Sequence, residues 1–571
     1  MRRSKDFKEL LSKMLVEWKW LLHIISHYKL TLLLYIILGI VVTVMSLGIS
    51  VATKHLIDAV VSHSSERLVP ALVLLIGFAV FQILFQGLSS WVTSVIGSKV
   101  HNEIREDIYS HVLKSNWTDI SKFHSGDLLN RLENDVSAIA SAVVSFIPSV
   151  FTRFLQFFGS LILVLYYDRT MAVLALLSAP VLFLSSRVLV KTIRKYSKET
   201  RELNGKILSY SEESVQNLQV IKAFDLTRDY IEKFKMTLDN YRKVKLSFDK
   251  FSIFMTICLS LVGLVVSYSC YGWGVYRLWQ GAITYGTMTL FLQISGSLTS
   301  SFGALASLAP SSISIATSAG RIMEITDFEE EQDVDCENAL KLLRKTQNQK
   351  FHLVFDNVSF KYDEMKTPVL KNVSFRLSSG DVAAFIGPSG EGKTTIFKLI
   401  LGIIKPTEGE IYIEADDGDR VDVSDSTRRF CSYVPQTINS FSGSIKDNLV
   451  TVKHGSTDDE LIDVLKKAEL YDFVEGLPNG MDTPVSEQGA NLSQGQLQRL
   501  AIARALLRDS RLLLMDEATS ALDRETEARV LENIMGCNES QIRILTTHRE
   551  SLLDYCQKVF KISADGNLTQ K

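Results

Sequence analysis

The chain has 571 residues, more than one ordinary domain holds, and its mean hydropathy is +0.13 although 22% of its residues are charged. One apolar and one polar half are implied. A net charge of −2 supplies no basic surface, so no nucleic-acid partner is expected, and six scattered cysteines with no C-x-x-C pair exclude a disulfide framework or thiolate metal site.

No signal peptide is evident. Residues 1–28 mix charges with Trp18, Trp20, Leu21, Leu22, Ile24 and Ile25. The pattern predicts an amphipathic helix lying on a membrane surface. A first helix packing on a core is the alternative. Six apolar segments follow: Leu30–Ala52, Leu68–Phe85, Ile139–Tyr167, Met171–Leu189, Phe251–Leu278 and Tyr285–Leu308. Each is near or above the ~20 residues that cross a bilayer. They predict an α-helical transmembrane domain of six spans over 29–311.

Short links join segments three to four and five to six. Long polar stretches join two to three and four to five, and these hold most of the Lys and Arg, from Lys99 to Arg131 and from Arg187 to Lys250. The positive-inside rule makes them cytoplasmic, with the N-terminus and everything after Pro310. They have few Gly or Pro and read as membrane helices prolonged into the cytosol. Each bends back at a tip, one near Thr118–Asp127 and one near Ser211–Phe224. Arg153 lies inside the third segment, where an arginine costs at least ~2.5 kcal/mol unless it faces a cavity or a partner. It reads as cavity-facing and available to cargo, against a structural bond to a neighbouring helix. Gln82, Gln86 and Gln293 read as packing contacts.

An acidic linker occupies 312–350, and a soluble α/β domain follows over 351–571. Its loop Gly387-Pro-Ser-Gly-Glu-Gly-Lys-Thr394 stands between an apolar strand and an apolar helix, the setting a phosphate loop requires. Gly387, Ser389, Gly390, Gly392, Lys393, Thr394 and Thr395 are the candidate ATP contacts, with Lys393 on the β/γ oxygens and Thr394 on Mg²⁺. The apolar run Leu512–Met515 predicts a buried parallel strand. At its end Asp516 is placed to hold Mg²⁺ and Glu517 to polarise the attacking water. Tyr362 is a candidate for stacking on the base, with core packing the alternative. His548, after the strand Ile542–Leu545, is a candidate γ-phosphate sensor.

A second glycine loop enters a helix at Ala490-Asn-Leu-Ser-Gln-Gly-Gln-Leu-Gln-Arg-Leu500, another phosphate-cradling design. Taken together these motifs resemble the ABC transporter family, in particular exporter-type half-transporters with six helices ahead of one P-loop NTPase domain. The resemblance covers almost the whole chain. It identifies Gln436 as the Q-loop glutamine contacting Mg²⁺, Leu492–Gln496 as the signature, Ser520–Asp523 as the D-loop and His548 as the switch. It implies two nucleotide domains meeting head to tail, so that Ser493, Gly495, Gln496 and Asp523 serve the ATP of a second copy of the chain. Glu517 and His548 are then the catalytic pair.

The signature carries Gln494 where the family has glycine, and Ser486 and Gln488 depart from the usual Gly-Glu-Arg-Gly; coupling is expected to feel this more than catalysis. The resemblance implies ATP-driven export of an amphipathic peptide, drug-like molecule or lipid by a homodimer in a bacterial plasma membrane. A lipid or lipid-linked sugar flippase and one half of a heterodimer are the alternatives.

Overall fold

A computed structural model of the chain describes residues 2–123, 125–170, 173, 178–331, 336–346, 349–362, 367–388, 390–437, 440–486, 491–547 and 549–571. The chain divides into two compact units, Met1–Ser115 with Asp119–Glu329, and Asn116–Thr118 with Glu330–Lys571.

The first unit is all helix. Its long helices are Lys29–Val61, Ser65–Lys114, Ile147–Tyr167, Ser178–Gln216, Thr227–Trp279 and Tyr285–Thr326. Ser65–Lys114 has 50 residues and Thr227–Trp279 has 53. At 1.5 Å per residue each is about 75–80 Å long, far more than the ~30 Å hydrocarbon core. The expected prolongations are therefore present. Among the described residues, Met14–Val61, Ser65–Lys114 and Ser125–Tyr167 are long and apolar enough to cross a membrane. They contain the first three expected segments. Of the fourth, residues 178–189 open the helix Ser178–Gln216 while 171, 172 and 174–177 lie outside the described residues; the fifth and sixth lie within Thr227–Trp279 and Tyr285–Thr326.

The first helix, Arg2–Ile25, buries Leu21 and Ile25 with Val100, Ile104, Ile139 and Ile322. Leu15, Val16 and Leu22 remain exposed. One face packs on the core, as the alternative reading expects, and the open face mixes these apolar side chains with Lys19 and His23.

The two tips touch within this unit: Ser125 Oγ donates to Glu212 Oε1 at 3.1 Å. Gly126 permits the approach, since a Cβ there would stand 2.6 Å from Glu212 Oε2. Behind the first tip the helix carries two π-helical runs, Arg131–Asp135 and Ala142–Phe146. Such bulges turn side chains off the regular α-helical faces. Here Arg131 and Asp135 turn into a buried charge cluster. Arg131 Nε meets Asp127 at 2.9 Å, Arg321 Nε meets Asp135 at 3.3 Å, and Ser318 Oγ donates to Asp135 at 2.7 Å. At the second tip a short helix, Leu218–Ala223, is followed by Asp225 in the left-handed region at φ 54°.

The sequence reading closes the membrane half at 311, but the last helix runs on to Thr326. Pro310 and the acidic run beyond it look like the end of a helix, yet Ile313, Ala316, Ala319, Ile322 and Ile325 keep an apolar helical face and are buried. A separate helix, Cys336–Lys345, buries Ala339 and Leu342 in the core of the second unit.

The second unit holds twelve described strands. They are β1 (Phe351–Phe360), β2 (Leu370–Ser378), β3 (Val382–Ile386), β4 (Glu408–Ala415), β5 (Arg420–Asp422), β6 (Cys431–Val434), β7 (Gly443–Ser444), β8 (Pro484–Val485), β9 (Leu512–Asp516), β10 (Ile542–Thr546), β11 (Lys558–Ile562) and β12 (Leu568–Gln570). An antiparallel sheet runs β2-β1-β4-β5, and a six-stranded sheet runs β12-β11-β3-β10-β9-β6. In the larger sheet β11, β3, β10, β9 and β6 are mutually parallel. All five residues of β9 and of β10 are buried, the expected pattern for parallel strands covered on both faces. Phe355, Phe375, Phe385 and Phe560 stack between the sheets, with Phe355 and Phe375 centroids 4.3 Å apart. Because β3, β10 and β9 are adjacent and parallel, the loops leaving them open on one edge, where open α/β sheets bind ligands.

Candidate nucleotide site

The loop after β3 enters the helix Lys393–Ile400. Gly392 caps that helix at φ +96°, and a Cβ there would fall 2.8 Å from Val369 Cγ1. No other residue fits that backbone and that space. The glycine at the cap offers the helix start no side-chain acceptor, the setting in which helix N-termini bind anions. Lys393 reaches back over the loop, its Nζ donating to the carbonyls of Gly387 and Pro388 at 2.7 and 2.8 Å. Burial lowers the Lys393 pKa, and the charges of Glu517, Asp516 and Glu391 oppose that shift. Ser389 lies outside the described residues.

At the end of β9, Asp516 is fully buried. Its Oδ1 accepts from Thr546 Oγ1 at 2.6 Å, whereas Oδ2 is buried with no hydrogen-bond partner among the described residues. A buried carboxylate oxygen left open in this way fits a divalent cation. Tyr433, on neighbouring β6, has its phenol pushed well above the ordinary range, first by burial and then by the Asp516 charge.

Glu517 takes a left-handed backbone at φ 49°, rare for a residue with a side chain. Its N–H donates to Thr546 Oγ1 at 3.0 Å, which fixes the turn off the strand. Its carboxylate accepts from Gln436 Nε2 at 3.0 Å. The structure thus joins the expected Gln436, Asp516 and Glu517 through direct bonds and through Thr546. Such a cluster can hold a cation at one carboxylate and orient water at the other.

Tyr362 is half-buried, edge-on to Phe360 at 4.8 Å, with its hydroxyl 3.3 Å from Thr395 Oγ1. It therefore sits at the start of the phosphate-loop helix while packing against the core. His548 lies outside the described residues.

The second cradle is built differently. Ser493 caps the helix Gln494–Arg508 in a full capping box: Gln496 N donates to Ser493 Oγ at 3.2 Å, and Ser493 N to Gln496 Oε1 at 2.8 Å. Gly495 lets this helix approach the D-loop, since a Cβ would lie 3.1 Å from Ala521 O. Ser493 and Gln494 are exposed. Asp523 caps Arg524–Met535 by accepting from Thr526 N at 3.0 Å, and that bond holds its carboxyl below the usual range. Ser486 and Asn491 bond reciprocally at 2.8–3.1 Å ahead of the signature. Gln488 is outside the described residues.

Three residues of this site are absent from the sequence reading. Thr546 links Asp516 to Glu517. Gln498, buried, donates to Glu517 O at 3.1 Å and accepts from Ala521 N at 2.9 Å, tying signature helix, catalytic turn and D-loop together. Arg549 donates to Glu527 at 2.7 Å and to Ser520 O at 3.0 Å. Only their closeness to named motifs could have signalled them.

A parallel sheet with a phosphate loop and an acidic strand end, fused behind a set of membrane-length helices, defines an ATP-driven membrane transporter. The family description "ABC transporter transmembrane region" matches residues 32–302, and "ABC transporter" matches 370–520. The chain belongs to the ABC transporter family, in which ATP hydrolysis is coupled to transport. It is 26% identical over 571 residues to the ABC transporter ATP-binding protein YfiC of Bacillus subtilis (strain 168), covering all of this chain and 92% of that one. It is 27% identical to a Staphylococcus aureus (strain NCTC 8325 / PS 47) protein provisionally named a multidrug export ATP-binding/permease protein, over 96% of this chain and 95% of that one. In fold it is similar to a bacterial Atm1-family ABC exporter solved with ATP bound, at a TM-score of 0.82, 22% identity and 94% coverage of each chain.

Proposed function

We propose that two copies of this chain form an exporter that carries an amphipathic molecule out of the cytosol. The observation that carries the reading is the Gln436–Glu517–Thr546–Asp516 cluster beside the phosphate loop, together with a second, exposed cradle at Ser493. Lys393 and the amides after Gly392 hold the phosphates of one ATP. Thr394, Gln436 and Asp516 would hold Mg²⁺, which when bound neutralises charge on the β/γ oxygens. Glu517 takes a proton from the attacking water, and His548 is proposed as the γ-phosphate sensor. Ser493 and Gly495 of the second copy cap that γ-phosphate, so ATP joins the halves and its hydrolysis releases them. ATP then acts through its different affinity for the open and closed states. The phosphate loop and strand ends face the cytosol, as do the tips, in a bacterial plasma membrane. The provisional export role of the S. aureus relative supports an amphipathic cargo.

The test is Glu517→Gln in lipid nanodiscs. Turnover is expected to fall by about 10²-fold or more, as for loss of a general base, with a closed, ATP-retaining dimer accumulating. Hydrolysis near the wild-type rate would remove Glu517 as the base.

A further inference from the structure

Besides the buried charge cluster at Arg131 and Asp135, the membrane unit holds a polar group on its third long helix that the ATP chemistry does not use. On the helix Ile147–Tyr167, Arg153 Nη1 donates to Gln156 Oε1 at 3.2 Å, and Gln156 Nε2 donates to Ser297 Oγ at 3.1 Å on the helix Tyr285–Thr326. Ser160 Oγ lies 3.5 Å from the same hydroxyl. Arg153 is exposed, and among the described residues no carboxylate lies within ion-pair distance of it.

The helical faces tell which way it looks. Phe151, Phe154, Phe158, Ile162 and Leu165 are exposed and recur at i, i+3, i+7, i+11 and i+14, an apolar stripe suited to lipid. Arg153, Gln156, Ser160 and Val164 recur at i, i+3, i+7 and i+11 on the opposite face, where Ser160 and Val164 are buried. Arg153 therefore does not look at lipid. It stands where that buried face opens. It is 14 residues below Tyr167, about 21 Å at 1.5 Å per residue, so it belongs to the cytosolic half of a ~30 Å core.

A guanidinium there, held by a neutral amide that is itself anchored to a hydroxyl rather than by an acid, keeps most of its N–H fork for an incoming acceptor. We propose that Arg153, positioned by Gln156 and Ser297, is the charge-reading point of the cargo path and takes the anionic head, carboxylate or phosphate, of an amphipathic molecule. This rests on the exporter reading. It narrows the cargo from amphipaths in general to amphipathic anions, entering from the cytosolic side.

The experiment uses full-length protein in nanodiscs of zwitterionic phosphatidylcholine, with ATP turnover followed against dodecyl phosphate or dodecyltrimethylammonium. The phosphate is expected to stimulate at lower concentration. Arg153→Gln should raise its half-maximal concentration about 10-fold or more, and Arg153→Lys, which loses the planar fork, by a few-fold. The ammonium curve should move less than about twofold, since it makes no charge-assisted bond there. Nanodiscs with phosphatidylglycerol and no added amphiphile separate the sources: stimulation lost in Arg153→Gln would name a lipid head group as the anion. Coincident phosphate curves for wild type and Arg153→Gln overturn the inference, as does a wild type that hydrolyses ATP yet ignores every anion. Dissociation of the Arg153→Gln dimer by mass photometry also overturns it, making Arg153 a subunit contact. A wild type with no ATP turnover fails the exporter reading itself.

Discussion

Two helix starts in the second unit, both proposed to face phosphate, are built in opposite ways. The helix at Lys393 is capped by a left-handed glycine with no side-chain bond, and its own lysine closes the loop. The helix at Gln494 is capped by Ser493 and Gln496 in a complete reciprocal box. The first brings no side-chain cap of its own to its leading amides, as a phosphate-binding start requires. The second satisfies amides within its own chain and offers an exposed hydroxyl instead. On the proposed reading, one start is a binding site by itself, and the other is a finished surface that becomes a site only when a second copy meets it.

The sharpest way to break this contrast is to damage each start separately. Lys393→Ala should abolish ATP binding and turnover together. Ser493→Arg should lower turnover by about 10²-fold or more, the scale of losing an anion-stabilising donor, while equilibrium binding of a fluorescent ATP analogue changes by less than about threefold. Equal loss of binding in both would mean that Ser493 serves its own chain's nucleotide. Normal turnover in Ser493→Arg would remove the second start from the chemistry.

A smaller effect comes from the residue joining the second start to the catalytic turn. Gln498→Leu leaves Glu517 O and Ala521 N without their buried partner. A lost buried bond of this kind costs about 1–3 kcal/mol. The melting temperature should drop, and kcat should fall more than ATP affinity. An unchanged kcat with a lowered melting temperature would make Gln498 a packing residue alone.

How much of this was legible beforehand follows from where each signal lives. The phosphate loop, Asp516 and Glu517 are written in short local patterns, because backbone turns and strand ends demand particular residues in order. The membrane half was legible as apolar length, and its prolongations as helical runs with few breakers. Thr546, Gln498 and Arg549 were not legible, since their partners lie 19–30 residues away on other elements and a single threonine or glutamine carries no period. The sequence reading opens the linker at 312 because Pro310 and the acidic run beyond it look like the end of a helix. Burial of Ile313, Ile322 and Ile325 overrides that composition. The contact of Ser125 with Glu212 needed the fold, because 87 residues separate them.

A third helix start supplies the finest test. Asp523 caps Arg524–Met535 through Thr526 N, and the same residue is expected to serve the nucleotide of the second copy. The two roles separate by substitution. Asparagine caps a helix about as well as aspartate, whereas alanine does not. If capping is all that Asp523 does, Asp523→Asn keeps near-wild-type turnover and Asp523→Ala alone loses thermal stability. If its charge also organises the dimer interface, Asp523→Asn lowers turnover by a few-fold at unchanged melting temperature. The pH axis gives the sign. The folded carboxyl sits below its usual range, so its stabilisation is present above the unfolded pKa and fades only as pH falls through the depressed folded value. Activity lost between neutral pH and about 5, well above the ordinary Asp pKa, must then arise elsewhere, and Asp523→Asn should share that loss in full.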